Sequence, residues 1–276
     1  MQIDFHIIKT SHSESPRQGY DPSEYYTDDH VVDLVNQIRT YFRHPSRIHL
    51  LSNNTTLNMP DISIKDVTKY GLWGWWNKML VFGKEFTGPD INIYIDLDTV
   101  IQRDFSDLVE WVFDNQVTML YSFWKPIDWE TQAYRVSGND PSFKHVTLVN
   151  SSIMVWRGNQ LNHITDGFLE DQERALFNFR GNDEYMDKFH RQEINVLPRG
   201  WAYSYFFGAE EGSEFFPRDK ESFKIRPDYM FRLLNGEGKR TQEYYDTRRP
   251  DIHVKEQLKR ENSEYIDDAR RWRNSS

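Results

Sequence analysis

The chain has 276 residues, 38% of them hydrophobic and 15% aromatic, which is enough to form the core of a large α/β domain. Its 43 acidic and 34 basic residues give a net charge of -9, which argues against nucleic-acid partners and acidic membrane surfaces. Cysteine is absent, no apolar run approaches the roughly 20 residues of a transmembrane segment and no signal-peptide pattern opens the chain, so a cytoplasmic protein is expected.

The amino-terminal part of the chain alternates between strand and helix patterns. Residues 2–8 predict a first strand, and residues 47–51 predict a second. Between them, Asp28 and Asp29 are expected to cap a helix. The apolar face of that helix consists of Val31, Leu34, Val35, Ile38 and Phe42. A strand, a helix and a strand in this order favour a parallel sheet of the nucleotide-binding type.

The central feature is the run Ile-Asn-Ile-Tyr-Ile-Asp-Leu-Asp-Thr-Val at residues 91–100. Its alternation predicts a core strand, and if that strand persists, Asp96 and Asp98 leave its carboxyl end on the same side. Open α/β sheets bind ligands at that end. Two carboxylates so close repel unless a cation or protons neutralise them, so a divalent metal with oxygen ligands is expected. The alternative is a pair of solvated loop aspartates, since Asp-x-Asp is short and common.

The other segments predict a single domain spanning residues 1–276. Residues 70–86 predict a mostly buried helix, although three glycines lower its helical propensity. Further helices are predicted at 108–113, at 163–179, and from Asn182 or Asp183 to His190. Strands are predicted at 117–123, 146–156, 194–197, 203–207, 223–225 and 251–254. A charged tail from about residue 255 predicts an exposed helix.

Four segments, in order, resemble glycosyltransferase family 8, the glycogenin-like and bacterial galactosyltransferase-like enzymes with a GT-A fold. Trp76-Asn77-Lys78 resembles the family's Trp-x-Lys segment, and Tyr94-Ile95-Asp96-Leu97-Asp98-Thr99-Val100 resembles its Asp-x-Asp segment. Asn150-Ser151-Ser152-Ile153-Met154 is similar to the family's Asn-Ser-x-Val-Met strand. His253, with Lys259 after it, resembles the closing His-Phe-x-Gly-x-x-Lys signature. The similarity spans residues 2–260.

This resemblance implies a Rossmann-like, mostly parallel central sheet flanked by helices. It implies a hexosyltransferase-type enzyme that moves a sugar from a nucleoside diphosphate sugar, a UDP-sugar, to a hydroxyl acceptor with retention. The acceptor class is left open among glycan, lipid and protein. The implied metal ligands are Asp96, Asp98 and His253, a set that suits Mn²⁺ or alternatively Mg²⁺. The implied donor-binding residues are Lys9, Thr10, Lys78, Asn150, Ser151 and Lys259.

The catalytic segment departs from the family pattern. Gly181-Asn182-Asp183-Glu184-Tyr185 resembles the family's Gly-Asp-Gln-Glu-Tyr with two replacements. The resemblance implies that Asp183 stabilises an oxocarbenium-like transition state or orients the acceptor hydroxyl, whereas Asn182 can only hydrogen-bond. Val254 and Glu256 replace the Phe and Gly of the closing signature, and a carboxylate near the donor phosphates is unexpected.

Two other functions fit parts of the sequence. The segment from Asp96 to Val100 also resembles the nucleophile motif of haloacid-dehalogenase-type phosphatases, in which Asp96 would attack phosphorus and Asp98 would act as acid and base. That family normally opens with the motif, whereas here it follows 95 residues. A non-catalytic nucleotide-sugar or glycan-binding protein is the third alternative, and Asn182 and Glu256 favour it.

Each site residue also has a structural explanation. If these residues have no functional role, Lys78 lies on the polar side of a buried helix, and His253 is an ordinary histidine at the end of a strand. Asn150 and Ser151 would then form a bulge or an edge in a strand, which is common for polar triplets.

Overall fold

A computed structural model of the chain describes residues 1–10, 26–53, 57–124, 147, 149–179, 181–205, 208 and 225–234. The predicted strand at 251–254, the charged tail, and the site residues His253 and Lys259 lie outside these ranges. So does the strand predicted at 223–225, apart from Ile225.

The described residues form ten strands in two sheets. The strands are β1 Ile3–Lys9, β2 Arg47–Ser52, β3 Ile62–Asp66, β4 Ile91–Ile95, β5 Thr99–Ile101, β6 Val117–Tyr121, β7 Val149–Arg157, β8 Ile194–Leu197, β9 Ala202–Ser204 and β10 Phe231–Leu233. The larger sheet has the order β3-β2-β1-β4-β7-β6-β8, and the smaller one has the order β5-β10-β9. In the larger sheet only β7 runs antiparallel to its neighbours. The predicted mostly parallel central sheet is therefore confirmed.

Helices lie on both sides of this sheet. They are α1 Asp28–Tyr41, α2 Asn162–Glu170, α3 Gln172–Asn178 and α4 Asn182–Phe189. Short 3-10 helices are formed by Thr68–Tyr70, Gly74–Leu80, Ser106–Trp111 and Arg191–Glu193. In the part of the chain that the structure describes, no helix combines the length and the apolarity that crossing a membrane requires.

The two faces of the central sheet are packed against different apolar clusters. Ile93 and Ile95 belong to the cluster that contains the apolar face of α1, whereas Tyr94 points to the cluster beneath α2 and α4. This follows from the two-residue period of a strand. The predicted apolar face of α1 is buried as expected, but Thr27 rather than Asp28 or Asp29 is its N-cap residue. The two aspartates lie in the first turn, where their negative charges interact favourably with the positive end of the helix dipole.

The tryptophan-rich segment differs from the prediction. Instead of a long α-helix over residues 70–86, the structure has the 3-10 helix Gly74–Leu80, and Tyr70 ends the preceding 3-10 helix. Gly71 and Gly74 have φ angles of 61° and 51°, a left-handed conformation that breaks a right-handed helix. Trp76 and Met79 are nevertheless fully buried, as predicted. The short 3-10 helix thus buries these two side chains in the core although it does not continue into an α-helix.

A buried histidine lies in the centre of the sheet. His6 on β1 is fully buried, and its Nε2 lies 3.0 Å from Asn92 Oδ1, so the neutral ring donates to the amide oxygen. Its ring also stacks on Trp156 at 5.5 Å between centroids. Burial lowers the pKa of His6 to about 4, and the hydrogen bond to Asn92 opposes that shift only in part. The imidazole is therefore neutral at physiological pH.

We expect His6 to make the stability of the fold depend on pH. Between about pH 6.5 and pH 4 the unfolded chain binds a proton at this ring that the folded chain does not. The free energy of unfolding should therefore decrease, by up to about 1.4 kcal/mol per pH unit, as the pH falls through that window. Urea unfolding from pH 7.5 to pH 5 should show a steeper loss for the native chain than for His6→Gln. Equal slopes would contradict the assignment.

Candidate functional site

The predicted site residues meet at the edge of the central sheet where β4 ends. Strands β1 and β4 are parallel neighbours, so both reach this edge with their carboxyl ends. Strand β7 is antiparallel to β4 and pairs Ile153 with Ile95, which brings its amino-terminal half to the same place. The Asp96 N–H donates to the Ser152 carbonyl at 2.8 Å. The sheet topology therefore joins Asp96 to Ser152, which lies 56 residues later in the sequence.

The carboxylate of Asp96 is held by two side chains. Its Oδ2 lies 2.7 Å from Lys78 Nζ, and its Oδ1 accepts a hydrogen bond from Tyr94 Oη at 2.5 Å. The ammonium group of Lys78 also lies 5.5 Å from the centroid of the Tyr94 ring. The Lys78 and Asp96 side chains are only 10% and 14% exposed, so this ion pair is weakly screened by water.

Tyr94 is a site residue that sequence reasoning did not select. Burial raises its pKa well above the ordinary value for tyrosine, and the negative charge of Asp96 raises it further. The hydroxyl therefore stays protonated and donates to the carboxylate. The signal was available, since Tyr94 lies two residues before Asp96 and a strand places such residues on the same face.

Ser151 connects the lysine to the helix that follows. Its Oγ accepts hydrogen bonds from Lys78 Nζ at 3.1 Å and from Asn182 Nδ2 at 2.8 Å. Its main-chain N–H donates to Asp183 Oδ1 at 3.1 Å. Five of the predicted site residues therefore form one continuous set of contacts: Lys78, Asp96, Ser151, Asn182 and Asp183.

The polar triplet Asn150-Ser151-Ser152 lies at an irregularity in strand β7. Pairing with β6 shifts register, because Met119 faces Met154 while Leu120 faces Asn150. The residues between these partners on β7 are thus left without partners in this ladder. The freed Ser151 N–H goes to Asp183 instead, and Asn150 Oδ1 accepts from the Ser152 N–H at 3.0 Å. The predicted bulge and the predicted site residues coincide.

The start of α4 is fitted closely against the 3-10 helix that carries Lys78. A Cβ added at Gly181 would lie 3.0 Å from Trp75 Nε1, so glycine permits this approach. Asn182, the first residue of α4, is only 3% exposed. This close packing brings the start of α4 within hydrogen-bonding distance of Ser151.

The structure differs from the prediction that β4 continues through Asp98 and places it on the same side as Asp96. Strand β4 ends at Ile95, and the Thr99 N–H donates to the Asp96 carbonyl at 3.1 Å, which closes a turn. The strand alternation therefore does not extend to Asp98. This residue is 1% exposed, and its main-chain carbonyl accepts from the Leu234 N–H at 2.9 Å. A pair of solvated loop aspartates is thus excluded, because Asp98 is buried.

Lys9 and Thr10 lie at the end of β1, as predicted, but both have structural partners. Lys9 Nζ forms an ion pair with Asp28 Oδ1 at 2.7 Å. Thr10 Oγ1 accepts a hydrogen bond from Asn77 Nδ2 at 3.3 Å. Asn77 precedes Lys78, so the end of β1 is connected to the same 3-10 helix.

The oxygen atoms of Asp96 and Asp98 suit a hard divalent cation such as Mg²⁺ or Mn²⁺. Each Asp96 oxygen has one of the partners described above, and a carboxylate offers about four lone-pair positions, so acceptor capacity remains. With Lys78 included, these groups carry a net charge of about -1, which still attracts a cation. The residues present therefore fit the expected metal. The third expected ligand, His253, lies outside the described residues.

Comparison with known proteins gives matches among solved structures only. No protein-family model and no curated protein matches the sequence. The structure of the galactosyltransferase LgtC in complex with donor and acceptor sugar analogs is similar, with a TM-score of 0.52 and 12% identity over 85% of this chain and 87% of that one. The chain has a GT-A-type fold.

Two further matches agree with this assignment. The apo structure of mouse xyloside xylosyltransferase 1 gives a TM-score of 0.50 and 13% identity over 85% of this chain and 98% of that one. The apo structure of the bifunctional glycosyltransferase WbbM gives a TM-score of 0.52 and 13% identity over 85% of this chain, which spans only 46% of that protein. The GT-A fold predicted from the sequence motifs is confirmed at the level of architecture.

The ion pair at this site should contribute to stability. Asp96→Asn would leave the Lys78 ammonium buried without its counter-ion, and we expect a loss of about 3 kcal/mol in the free energy of unfolding. The double variant Asp96→Asn/Lys78→Met should lose less than Asp96→Asn alone, because no unpaired charge remains. Chemical denaturation measures both.

An exposed ion pair serves as the control. Arg39 and Asp61 lie 3.5 Å apart with side chains 43% and 76% exposed, so Asp61→Asn should cost about 1 kcal/mol or less. A similar cost for Asp96→Asn would show that the Lys78 pair behaves like a surface contact.

Proposed function

We propose that this protein is a metal-dependent glycosyltransferase that moves a hexose from a nucleoside diphosphate sugar, a UDP-sugar, to a hydroxyl acceptor with retention. The observation that carries the proposal is the cluster of Asp96, Lys78 and Ser151 with the start of α4, at the carboxyl end of β4 in a GT-A-type fold. Ligands of open α/β sheets bind at this end.

Charge explains why such a donor needs a cation here. The chain carries a net charge of -9, and a donor diphosphate is itself anionic. We assign Asp96, Asp98 and His253 as ligands of Mn²⁺ or Mg²⁺, which would act as a Lewis acid and stabilise the diphosphate leaving group. Lys78 already lies beside Asp96 and can donate to a phosphate oxygen at the same place. Lys259 is assigned to the same diphosphate.

The other donor contacts follow from position. We assign Lys9 and Thr10, at the end of β1, to the nucleotide base. Asn150 and Ser151, in the irregular part of β7, are assigned to the sugar. Ser151 is the better supported of these two, since its hydroxyl contacts Lys78 and Asn182 directly.

Asp183 is assigned to the reacting sugar. One oxygen of its carboxylate accepts the Ser151 N–H, and the other can face the positive charge that develops at the anomeric carbon. Asn182 carries no charge, and its amide holds the Ser151 hydroxyl, so we assign it to positioning Ser151. This division explains how the segment can act although it departs from the family pattern.

The phosphatase alternative loses support from the architecture. The protein has a GT-A-type fold, and the phosphatase resemblance covers only residues 96–100. A non-catalytic nucleotide-sugar-binding protein would share the donor contacts and is distinguished by turnover, measured as release of UDP from a panel of UDP-sugars.

We expect nucleotide binding to require the metal. UDP should raise the melting temperature with Mn²⁺ present and not with a chelator, because the aspartates repel a diphosphate in the absence of a cation. At a ligand concentration of 100 times Kd the gain would be about 2.7 kcal/mol. Asp98→Asn should abolish this gain, whereas Asp61→Asn should keep it. Strong binding of UDP without metal would argue against the proposed site.

His253 can be tested by a separate titration. Mn²⁺ is titrated in the presence of UDP into the native chain, His253→Ala and the control His44→Ala. Loss of a ligand should weaken Mn²⁺ binding in His253→Ala only, while Asp96 and Asp98 still bind metal at higher concentration. Unchanged affinity in His253→Ala would remove this residue from the metal site and leave the aspartates in place.

A further inference from the structure

A second group of potential metal ligands lies away from the site at β4. His163 is the second residue of α2, His190 follows the last residue of α4, and Glu193 ends the 3-10 helix Arg191–Glu193. One ligand atom from each of these side chains lies within 4.8 Å of the others. In the described ranges this is the one such group of three, and none of its members belongs to the proposed donor site.

Glu193 faces both imidazoles. Its Oε2 lies 2.5 Å from His163 Nε2, and its Oε1 lies 3.0 Å from His190 Nδ1. The two rings lie 5.9 Å apart between centroids. Glu193 therefore bridges the two histidines, with one carboxylate oxygen facing each ring.

The backbone fixes two of the three members. The His190 N–H donates to the Met186 carbonyl at 2.8 Å, which anchors His190 to the last turn of α4. The Glu193 N–H donates to the His190 carbonyl at 2.8 Å, which fixes the spacing between these residues. The His163 side chain is 55% exposed, so it can adjust toward the other two from the solvent side.

We propose that His163, His190 and Glu193 bind a zinc ion. Two imidazoles and one carboxylate form a ligand set that zinc prefers, with water in the fourth position. Zn–N and Zn–O bonds of about 2.1 Å in a tetrahedron place the ligand atoms about 3.4 Å apart, so side-chain movements of roughly 1 Å assemble the site. The solvent exposure of His163 gives the metal a route of entry.

This site differs chemically from the proposed donor site. The pair Asp96 and Asp98 offers oxygen atoms, which suit Mn²⁺ or Mg²⁺ completed by a diphosphate. The second group offers two nitrogen atoms among its three ligands and needs no nucleotide. Zinc should therefore bind here in the absence of UDP.

Zinc at this position would fasten α2 to the end of α4. Helix α4 has eight residues and is about 12 Å long at a rise of about 1.5 Å per residue. Its first residues, Asn182 and Asp183, contact Ser151 at the other site. The ion would thus stabilise the helix that positions the proposed catalytic segment, from its opposite end.

The test is equilibrium dialysis of the full chain, stripped with a chelator, against Zn²⁺ without nucleotide. We expect one bound equivalent that His163→Gln and Glu193→Gln each remove. Loss of a direct ligand should weaken binding by at least the roughly 10- to 100-fold that loss of an outer-shell partner costs. Cobalt substitution gives a second readout, since the visible absorption of bound Co²⁺ reports coordination and should disappear in the same variants.

Two controls separate this site from others. His44→Gln removes a histidine outside the group and should leave zinc binding unchanged. Asp98→Asn removes a ligand of the proposed donor site and should also leave it unchanged, so the result does not depend on the proposed function. The proposal is overturned if the native chain binds no zinc, or if His163→Gln and Glu193→Gln bind it as tightly as the native chain does. Loss of the bound equivalent in Asp98→Asn alone would also overturn it.

Discussion

The ion pair between Lys78 and Asp96 is the interaction on which the candidate site depends. It joins the 3-10 helix Gly74–Leu80 to the end of β4, and through Ser151 it extends to β7 and α4. Burying two charges costs several kcal/mol per ion unless each is well paired and hydrogen-bonded. Tyr94 and Ser151 supply those hydrogen bonds. The local structure is therefore built to keep a lysine and an aspartate together at this edge of the sheet.

The irregular pairing of β7 is what makes this arrangement compatible with a sheet. A regular ladder would bind the Ser151 N–H to β6, whereas the register shift at Met119 and Leu120 leaves it for Asp183. Bulges re-aim side chains and are frequent beside functional sites. The same residues thus serve the strand and the site. A structural and a functional explanation of the polar triplet are complementary.

Elements with a clear hydrophobic period in the sequence could be predicted, whereas elements that form through contacts with distant segments could not. The alternating isoleucines at positions 91, 93 and 95 predicted β4, because the two-residue period of a strand places them on one apolar face. Strand β10, Phe231–Leu233, was not predicted, since three residues carry no period and the strand exists through pairing with β5 and β9. The role of Ser151 likewise depends on partners far away in the sequence. Motif resemblance selected Ser151 as a site residue, but only the structure shows which side chains it contacts.

Asp98 lies in the turn that connects the two sheets, between β4 and β5. Its main-chain carbonyl accepts a hydrogen bond from the N–H of Leu234, the residue directly after β10 of the smaller sheet. The turn between Asp96 and Asp98 is therefore fixed at both ends, by β7 through the Asp96 N–H and by the smaller sheet through Asp98. A carboxylate pair that holds a cation, as we propose for this one, must stay close together when the cation leaves. The main-chain N–H of Asp96 and the main-chain carbonyl of Asp98 anchor the turn, so its backbone is fixed by contacts that do not involve the two carboxylates.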